Sequence, residues 1–425
     1  MPKNQFMWKV GSPLPAIEQH SNAKLNLLEL YLRRYFDVVT ADPRQDKLAI
    51  SFIDGFSGGG AYQDARGEER AGSPFILLRS VRQAEAAVNL RRHKPFSIDA
   101  KFYFVELNRE SYLHLQHMIS KSEFADWLSE GRIVIQHGEF ERVCPTILQD
   151  IRDRHHKGRS VFLLDQKGWS EVQFSTIRGI LTELPRAEVL LTFAVDWLIS
   201  YINDSPEFEK PMVRAGFSPS DIRRYCEAKG ESGYRYVIPR LLREDIQRLT
   251  GAPFFTPFFL RSSEASRDLW IIHLSKLTRA RNVMVETHWD ISNAATYAGS
   301  SLHQGTAGLN MLGFDPHWEG GLALDFAFDE MADRAISKAL LRHLPEAVRG
   351  VGSTPPTLDV LVSRLANDTA ATEGHIQAAL KELHDARELE ILTPSGARKR
   401  GPGPLAKGDR IHIPRQGWLL PRNNS

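Results

Sequence analysis

Carboxylates recur just past the ends of strand-like runs in the first half of this chain, and three consecutive glycines stand beside the first of them. In the stretch SFIDGFSGGGAY, from Ser51 to Tyr62, an apolar run (Leu48 to Ile53) ends in Asp54, followed by Phe56 and then Gly58, Gly59 and Gly60. Glycine tolerates positive φ and has no side chain, so the backbone can turn sharply and come close to a ligand at a strand's carboxyl end. The chemistry this suggests is recognition of a nucleotide-like ligand. The plainer alternative is an ordinary glycine-rich turn, since short glycine motifs recur by accident.

The next strand-like run, Lys101 to Val105, ends in Glu106, placed where a carboxylate can accept hydrogen bonds from ribose hydroxyls; a solvated strand-end glutamate is the alternative. A third run, Arg132 to Gln136, leads into His137, Gly138 and Glu139. A fourth, Val161 to Leu164, delivers Asp165 with Gln166, Lys167, Gly168 and Trp169 behind it, and a fifth, Val189 to Ala194, is followed by Asp196 and Trp197. In an open α/β sheet the crevice at the carboxyl ends of the strands is where ligands bind, and these acids gather at that edge.

The elements that must position them follow from periodicity. Leu25, Leu28, Leu32 and Phe36 lie at helical spacing, with Ser21 or Asn22 as the expected cap and Lys24 in the first turn, where a cation opposes the helix dipole. Helices are expected over Pro74 to Ala87 and Glu110 to Lys121, long enough crossovers for parallel neighbours. Residues 203–250 are charged and helical in pattern. Two strands, Pro253 to Leu260 and Leu269 to Leu274, are joined by a short loop and therefore form an antiparallel hairpin. Arg279 to Trp289 is helical in pattern, and Gly313 to Pro316 marks a loop. The expected fold class is α/β: a Rossmann-like, mostly parallel sheet with an antiparallel last hairpin and a helical insertion. That is the layout of S-adenosylmethionine-dependent methyltransferases, over residues 1–335.

Residues 336–425 read as a winged helix-turn-helix. One helix lies near Ala335; helices starting at Thr357 and capped by Thr372 follow, then strand-like Glu390 to Leu392 and Arg410 to Ile413. The hairpin tip carries Arg398, Lys399, Arg400 and Lys407, and the segment from Thr393 to Ser425 has a net charge of +6, seven cations against Asp409. This is a candidate phosphate-contacting wing, whereas the second helix presents Gln377, Lys381, Asp385 and Glu388, of mixed sign. A module that binds protein, or packs on the catalytic domain, is the alternative.

At 425 residues, 42% hydrophobic and 25% charged, the chain can bury two or three domain cores, and its net charge of +2 names no partner. Two cysteines, Cys144 and Cys226, supply neither a disulfide framework nor a thiolate metal site, so no metal is expected and a reducing cytoplasm is. The N-terminus shows no signal peptide and no apolar run is long enough to span a bilayer, so no membrane association is expected.

The ordered series Lys24, Asp54-x-Phe-x-Gly-x-Gly60, Gly72-Ser-Pro74, Phe104-Val-Glu106, Gly138-Glu-Phe140, Asp165-x-x-Gly168 and Arg281-Asn-Val-Met284 with Trp289 resembles the three-Cys-motif partner proteins, bacterial methyltransferase-like proteins, and more distantly the adenine-specific nucleic-acid methyltransferases. The resemblance covers most of residues 20–330. It implies S-adenosylmethionine as cofactor, held by Lys24, Asp54, Phe56, Gly58, Gly60, Glu106, Gly138, Glu139 and Asp165. Asp165, Lys167 and Trp169 would be the catalytic group, with Asp165 orienting or deprotonating the acceptor and Trp169 stacking on a base. Nucleic acid and a three-Cys-motif protein are the implied partners. One departure is plain: the Asp/Asn-Pro-Pro-aromatic loop of amino-group methyltransferases is Asp165-Gln-Lys-Gly-Trp169 here, without the prolines that would make it rigid. Two functions stay open: methyl transfer to a base, or a catalytically silent fold that binds nucleic acid or a partner protein, in a defence or mobile-element setting.

Overall fold

The computed structural model describes residues 8–414, except 156, 232–233, 262–267, 299–302, 306–329, 353, 400–404 and 407. The described residues form two compact units, 8–305 and 330–414. The loop expected at Gly313 to Pro316 lies outside the described residues.

The first unit begins with α1 (Gln19–Val39), which turns Leu25, Leu28, Leu32 and Phe36 onto buried core positions. Its start corrects the expected cap: Glu18 occupies the N-cap, without a side-chain bond, Ser21 is buried inside the helix, and Lys24 lies beyond the first turn. Then come β1 (Lys47–Asp54), a small hairpin of β2 (Ala61–Gln63) and β3 (Glu69–Ala71), and α2 (Ser73–Arg91).

The chain continues through β4 (Ser97–Glu106), α3 (Arg109–Ser120), α4 (Ala125–Ser129), β5 (Ile133–His137), α5 (Phe140–His155), β6 (Arg159–Leu164), α6 (Phe174–Glu183) and β7 (Ala187–Phe193). The stretch after it folds as α7 (Val195–Tyr201), α8 (Pro206–Ala215), α9 (Pro219–Lys229) and α10 (Tyr234–Thr250). The antiparallel pair β8 (Phe254–Arg261) and β9 (Asp268–Ser275), then α11 (Thr278–Ala298) and β10 (His303–Gly305), complete the unit.

Strand order is β10-β8-β9-β7-β6-β1-β4-β5. The pairs β5–β4, β4–β1, β1–β6 and β6–β7 are parallel, whereas β9 runs antiparallel to both β7 and β8. This is the Rossmann-like, mostly parallel sheet closed by an antiparallel hairpin that the spacing predicts. Two apolar layers sandwich it. One includes Phe162, Phe174, Ile177, Val189 and Trp270; the other includes Tyr31, Leu32, Phe36, Phe52, Leu77 and Phe102. The central strands are buried on both faces, which is why β7 is mostly apolar and even its Glu188 and Thr192 are buried.

The second unit contains α12 (Glu330–Arg349), α13 (Leu358–Leu365), α14 (Glu373–Asp385) and an antiparallel pair of β11 (Glu390–Leu392) and β12 (Arg410–His412). Thr372 and His375 form a capping box at the start of α14, while Thr357 occupies the N-cap of α13 without a side-chain bond. Glu388 lies past the end of α14, so it does not belong to that helix's face. Among the described residues no helix is long and apolar enough to cross a membrane.

Candidate functional site

The topology reverses at β1, with β4 on one side and β6 on the other, and the strand ends there converge on the glycine loop. β1 delivers Asp54, only 1% exposed. Its Oδ1 accepts the Phe56 N–H at 3.2 Å, while Oδ2 is buried without a hydrogen-bond partner. Burial pushes this carboxyl up to about 7, with Asp165 and Glu106 adding in the same direction against the bonds from Ser73 and the Phe56 N–H. An acid this costly to ionise beside two others suits a site that receives positive charge or hydroxyl donors.

The loop is gripped from several directions. Gly58 and Gly60 adopt φ of +59° and +93°, which glycine takes without steric cost. The Gly58 N–H donates to Glu106 Oε2 at 2.8 Å, the Gly72 N–H donates to the Gly60 carbonyl at 2.8 Å, and His114 Nδ1 donates to the Gly59 carbonyl at 2.7 Å. Trp8 lies across the loop, its Nε1 donating to the Ala61 carbonyl at 2.6 Å. A Cβ at Gly59 would come within 2.1 Å of that indole, so only glycine fits beneath it.

Glu106, at the end of β4, also accepts the Asn108 N–H at 2.7 Å through Oε1. Burial raises its pKa, and these two N–H bonds and the charge of Lys167 oppose the rise. At the end of the adjoining β5, the Gly138 N–H donates to the Glu106 carbonyl at 3.0 Å. Glu139 pairs with Arg214 of α8 at 3.1 Å and with Arg142 at 3.3 Å. The inserted helices therefore anchor Glu139. Phe56 is half-buried and packs its ring 6.4 Å from that of Phe140.

On the other side, β6 delivers Asp165. Lys24 of α1 donates to both its oxygens, at 2.7 and 2.6 Å. Desolvation would raise the Asp165 pKa, but Lys24, with help from Thr192 and His20, wins and lowers it. The carboxylate is thus held ionised. His20 in turn pairs with Glu18 at 3.1 Å, and burial and Lys24 lower its pKa. Gln166 is buried and its Oε1 accepts the N–H groups of Glu171 and Val172 at 2.9 and 3.0 Å, while the Gly168 carbonyl accepts from Ala194 at 3.1 Å. These bonds give the loop the fixed shape that prolines would otherwise supply.

Lys167 is exposed. Trp169 is half-buried against the core with its ring 6.2 Å from that of Tyr201, which lies 6.2 Å from Trp197. Tyr201 and Trp197 are 54% and 44% exposed, so a strip of aromatic surface borders the site. Tyr62, on β2, feels the same acids: burial and then Asp165, Asp54 and Glu106 all hold its hydroxyl in the protonated form.

The structure therefore brings Lys24, Asp54, Phe56, Gly58, Gly60, Glu106, Gly138, Glu139, Asp165, Lys167 and Trp169 to one sheet edge. Arg398 and Lys399 belong to the second unit and have acidic partners there: Arg398 pairs with Glu390, and Lys399 with the buried Asp409 at 2.8 Å. Arg400 and Lys407 lie outside the described residues. Sequence reasoning missed Trp8, His20, Tyr62, His114 and Gln166. Trp8 and Tyr62 carry no periodic signal, and His114 looks like any polar residue of an amphipathic helix. Among the described residues no cluster of three His, Cys, Asp or Glu side chains could hold a metal ion.

No family model matches the chain, and no curated protein does. Among solved structures it is similar to an O-methyltransferase from Bacillus cereus in complex with SAH, at 11% identity and a TM-score of 0.29 over 61% of this chain and 92% of that one. A cyclopropane synthase from Mycobacterium tuberculosis (10%, TM-score 0.22, 63% and 72% of the chains) and a geranyl diphosphate methyltransferase in complex with GPP and sinefungin (10%, 0.22, 62% and 88%) are similar to a comparable degree. Likenesses this slight carry no functional argument; the strand order and the site's own geometry have to.

Proposed function

We propose that this chain is an S-adenosylmethionine-dependent methyltransferase whose acceptor is a base in nucleic acid, with its second unit acting as a winged helix-turn-helix. The observation that carries the reading is the pairing of Asp54, buried with an unpartnered oxygen, with Glu106 across a glycine loop at the point where strand order reverses. The donor is cationic at sulfur and carries an amine and ribose hydroxyls, so carboxylates at these two positions fit it. Gly58 and Gly60 leave room for close approach, Glu106 keeps free lone pairs for ribose hydroxyls, and Gly138 and Glu139 border the same end. Bound there, the donor supplies an electrophilic methyl group, whose transfer needs alignment more than covalent help.

Asp165, held ionised by Lys24, is a poor base and a good hydrogen-bond acceptor. Its role is to orient the acceptor, with Trp169 providing a flat face against the base. A second reading, a silent fold that binds nucleic acid or a three-Cys-motif protein, is favoured by one observation: Lys24 engages both oxygens of Asp165. We assign either protein to the cytoplasm.

Calorimetric titration of the full chain with S-adenosylmethionine tests the donor site. Glu106→Ala, once shown to be folded, is expected to weaken binding by about 1.5 to 3 kcal/mol, the scale of hydrogen bonds to a charged group. Unchanged affinity overturns the assignment. Radiolabelled donor then separates the two readings: transfer to DNA or RNA that Asp165→Ala abolishes, with donor affinity kept within a few-fold, supports catalysis. Donor binding without transfer by the wild type supports the binder.

A further inference from the structure

A cavity of about 650 Å³ opens at the amino-terminal end of the sheet, between the starts of β1 and β6. The carboxylate site lies at the other end of β1, roughly 20 to 25 Å away at the usual rise per strand residue. The cavity walls carry Lys47, Lys157, Arg159 and Arg186, together with His155, and among the described residues no aspartate or glutamate lines it. On a chain with a net charge of only +2, that is a strong local concentration of cations.

Asp46, between the lining residues Gln45 and Lys47, pairs with Lys94 at 3.1 Å, and two further carboxylates beside the lining are engaged as well. Asp99 pairs with Lys47 at 3.0 Å and His155 at 2.9 Å, and also with Arg154. Glu188, whose field reaches Tyr31 and Tyr35 together with that of Arg159, accepts from Tyr31 at 2.5 Å and meets His273 Nε2 at 3.0 Å in the buried layer. Lys157 and Arg186 stand exposed at the rim and Arg159 is half-buried. Val39, Leu48 and Ala49 complete the wall with apolar surface, which lowers the local dielectric and strengthens the field felt inside.

We infer that this cavity is a binding site for a phosphate-bearing ligand. Its volume falls within the usual range for small-ligand pockets, about 300 to 1,000 Å³. Two guanidinium forks can each bind phosphate oxygens bidentately and Lys157 adds a point charge, while Lys47 is shared with Asp99, so a di- or triphosphate group matches the lining in charge. The phosphates could belong to a free nucleotide or to a nucleic-acid backbone. The site is independent of the donor-site reading and would stand if that reading failed.

The test uses the full chain, with thermal unfolding and anisotropy at fixed ionic strength. Tripolyphosphate, ATP and a labelled 12-nucleotide single strand serve as probes, and sodium sulfate at matched ionic strength as control. Tripolyphosphate is expected to raise the melting temperature in a saturable way beyond sulfate. The rim variant Lys157→Gln/Arg186→Gln should weaken that binding at least about tenfold while leaving S-adenosylmethionine affinity unchanged. Arg159→Lys, which keeps the charge but loses the fork, should weaken it less. Saturable ATP binding with no response to the oligonucleotide that depends on the rim identifies a free nucleotide; rim-dependent oligonucleotide binding identifies a backbone. No stabilisation beyond sulfate, or binding that the rim variant leaves unaltered, overturns the proposal.

Discussion

Asp54 is the residue whose environment asks for an explanation, because among the described residues its buried Oδ2 has no hydrogen-bond partner. An ordinary carboxyl ionises at 3.8, whereas this one is pushed up to about 7. Between those values the folded protein keeps a proton that the unfolded chain has released. The stability contributed by this group is therefore full below about pH 4 and is lost as pH rises through 7. Asp54→Asn, which keeps the shape without the charge, should melt higher than the wild type at pH 8. The shift corresponds to a gap on the order of 4 kcal/mol at full ionisation, narrowing steadily toward pH 4. The same variant should lose affinity for S-adenosylmethionine. In the wild type, a cationic ligand favours the ionised carboxylate, so affinity should rise between pH 6 and 8 with proton release detectable by calorimetry in buffers of different ionisation enthalpy. A wild-type affinity flat over that range, or a variant that melts lower at pH 8, would remove Asp54 from the donor site.

The elements were largely legible in the sequence because their signals are local. Apolar runs of strand length that end in Asp54, Glu106 and Asp165, separated by crossovers, leave few topologies for a parallel sheet. The hairpin of β8 and β9 followed from its short loop. Contacts between distant segments were not legible. Lys24 meets Asp165 across 141 residues of sequence, and Glu139 meets Arg214 across 75. No spacing rule connects such pairs. The true start of α1 escaped for a different reason: its first turn has neither a side-chain cap nor an acid. The stretch before it carries no periodic signal, yet Trp8 lies over the glycine loop, and the Ile17 N–H donates to the Gln63 carbonyl at 2.9 Å. Trp8 is therefore expected to fix the loop's shape. Trp8→Phe keeps the aromatic cover and loses one hydrogen bond, a change of about 1 kcal/mol, whereas Trp8→Ala removes a buried ring at roughly 3 to 5 kcal/mol. Thermal unfolding and donor titration should both rank wild type, Phe, Ala in that order. An Ala variant with full donor affinity would show that the loop holds its form unaided.

At the scale of the whole molecule the question is what the second unit contributes, and its charges are less available than the +6 of the tail suggests. Lys399 is tied to Asp409, which is 3% exposed, and that bond, ahead of its other surroundings, holds the Asp409 carboxyl below its usual range. Stability from this pair is present above the ordinary carboxyl pKa and is lost as pH falls through the depressed one. Lys399→Ala is thus expected to destabilise the second unit rather than merely remove a phosphate contact, because it strands a buried carboxylate. Arg398 differs in being exposed, so its guanidinium is open to a phosphate, although its partner Glu390 is largely buried and losing that pairing carries a cost of its own. If Arg398, Arg400 and Lys407 contact phosphates, replacing those three with alanine should flatten the log-log salt dependence of duplex binding by about two to three units, since each neutralised phosphate contributes about 0.9. Binding to all sequences should weaken alike, because such contacts position the protein without reading bases. Fluorescence anisotropy across a salt series, with duplex and single-stranded oligonucleotides, measures both effects. A slope that the triple variant leaves intact would take nucleic acid away from this unit and leave the basic tip as a protein-docking surface. The acceptor proposed for the sheet-edge site would then have to be supported by methyl transfer alone.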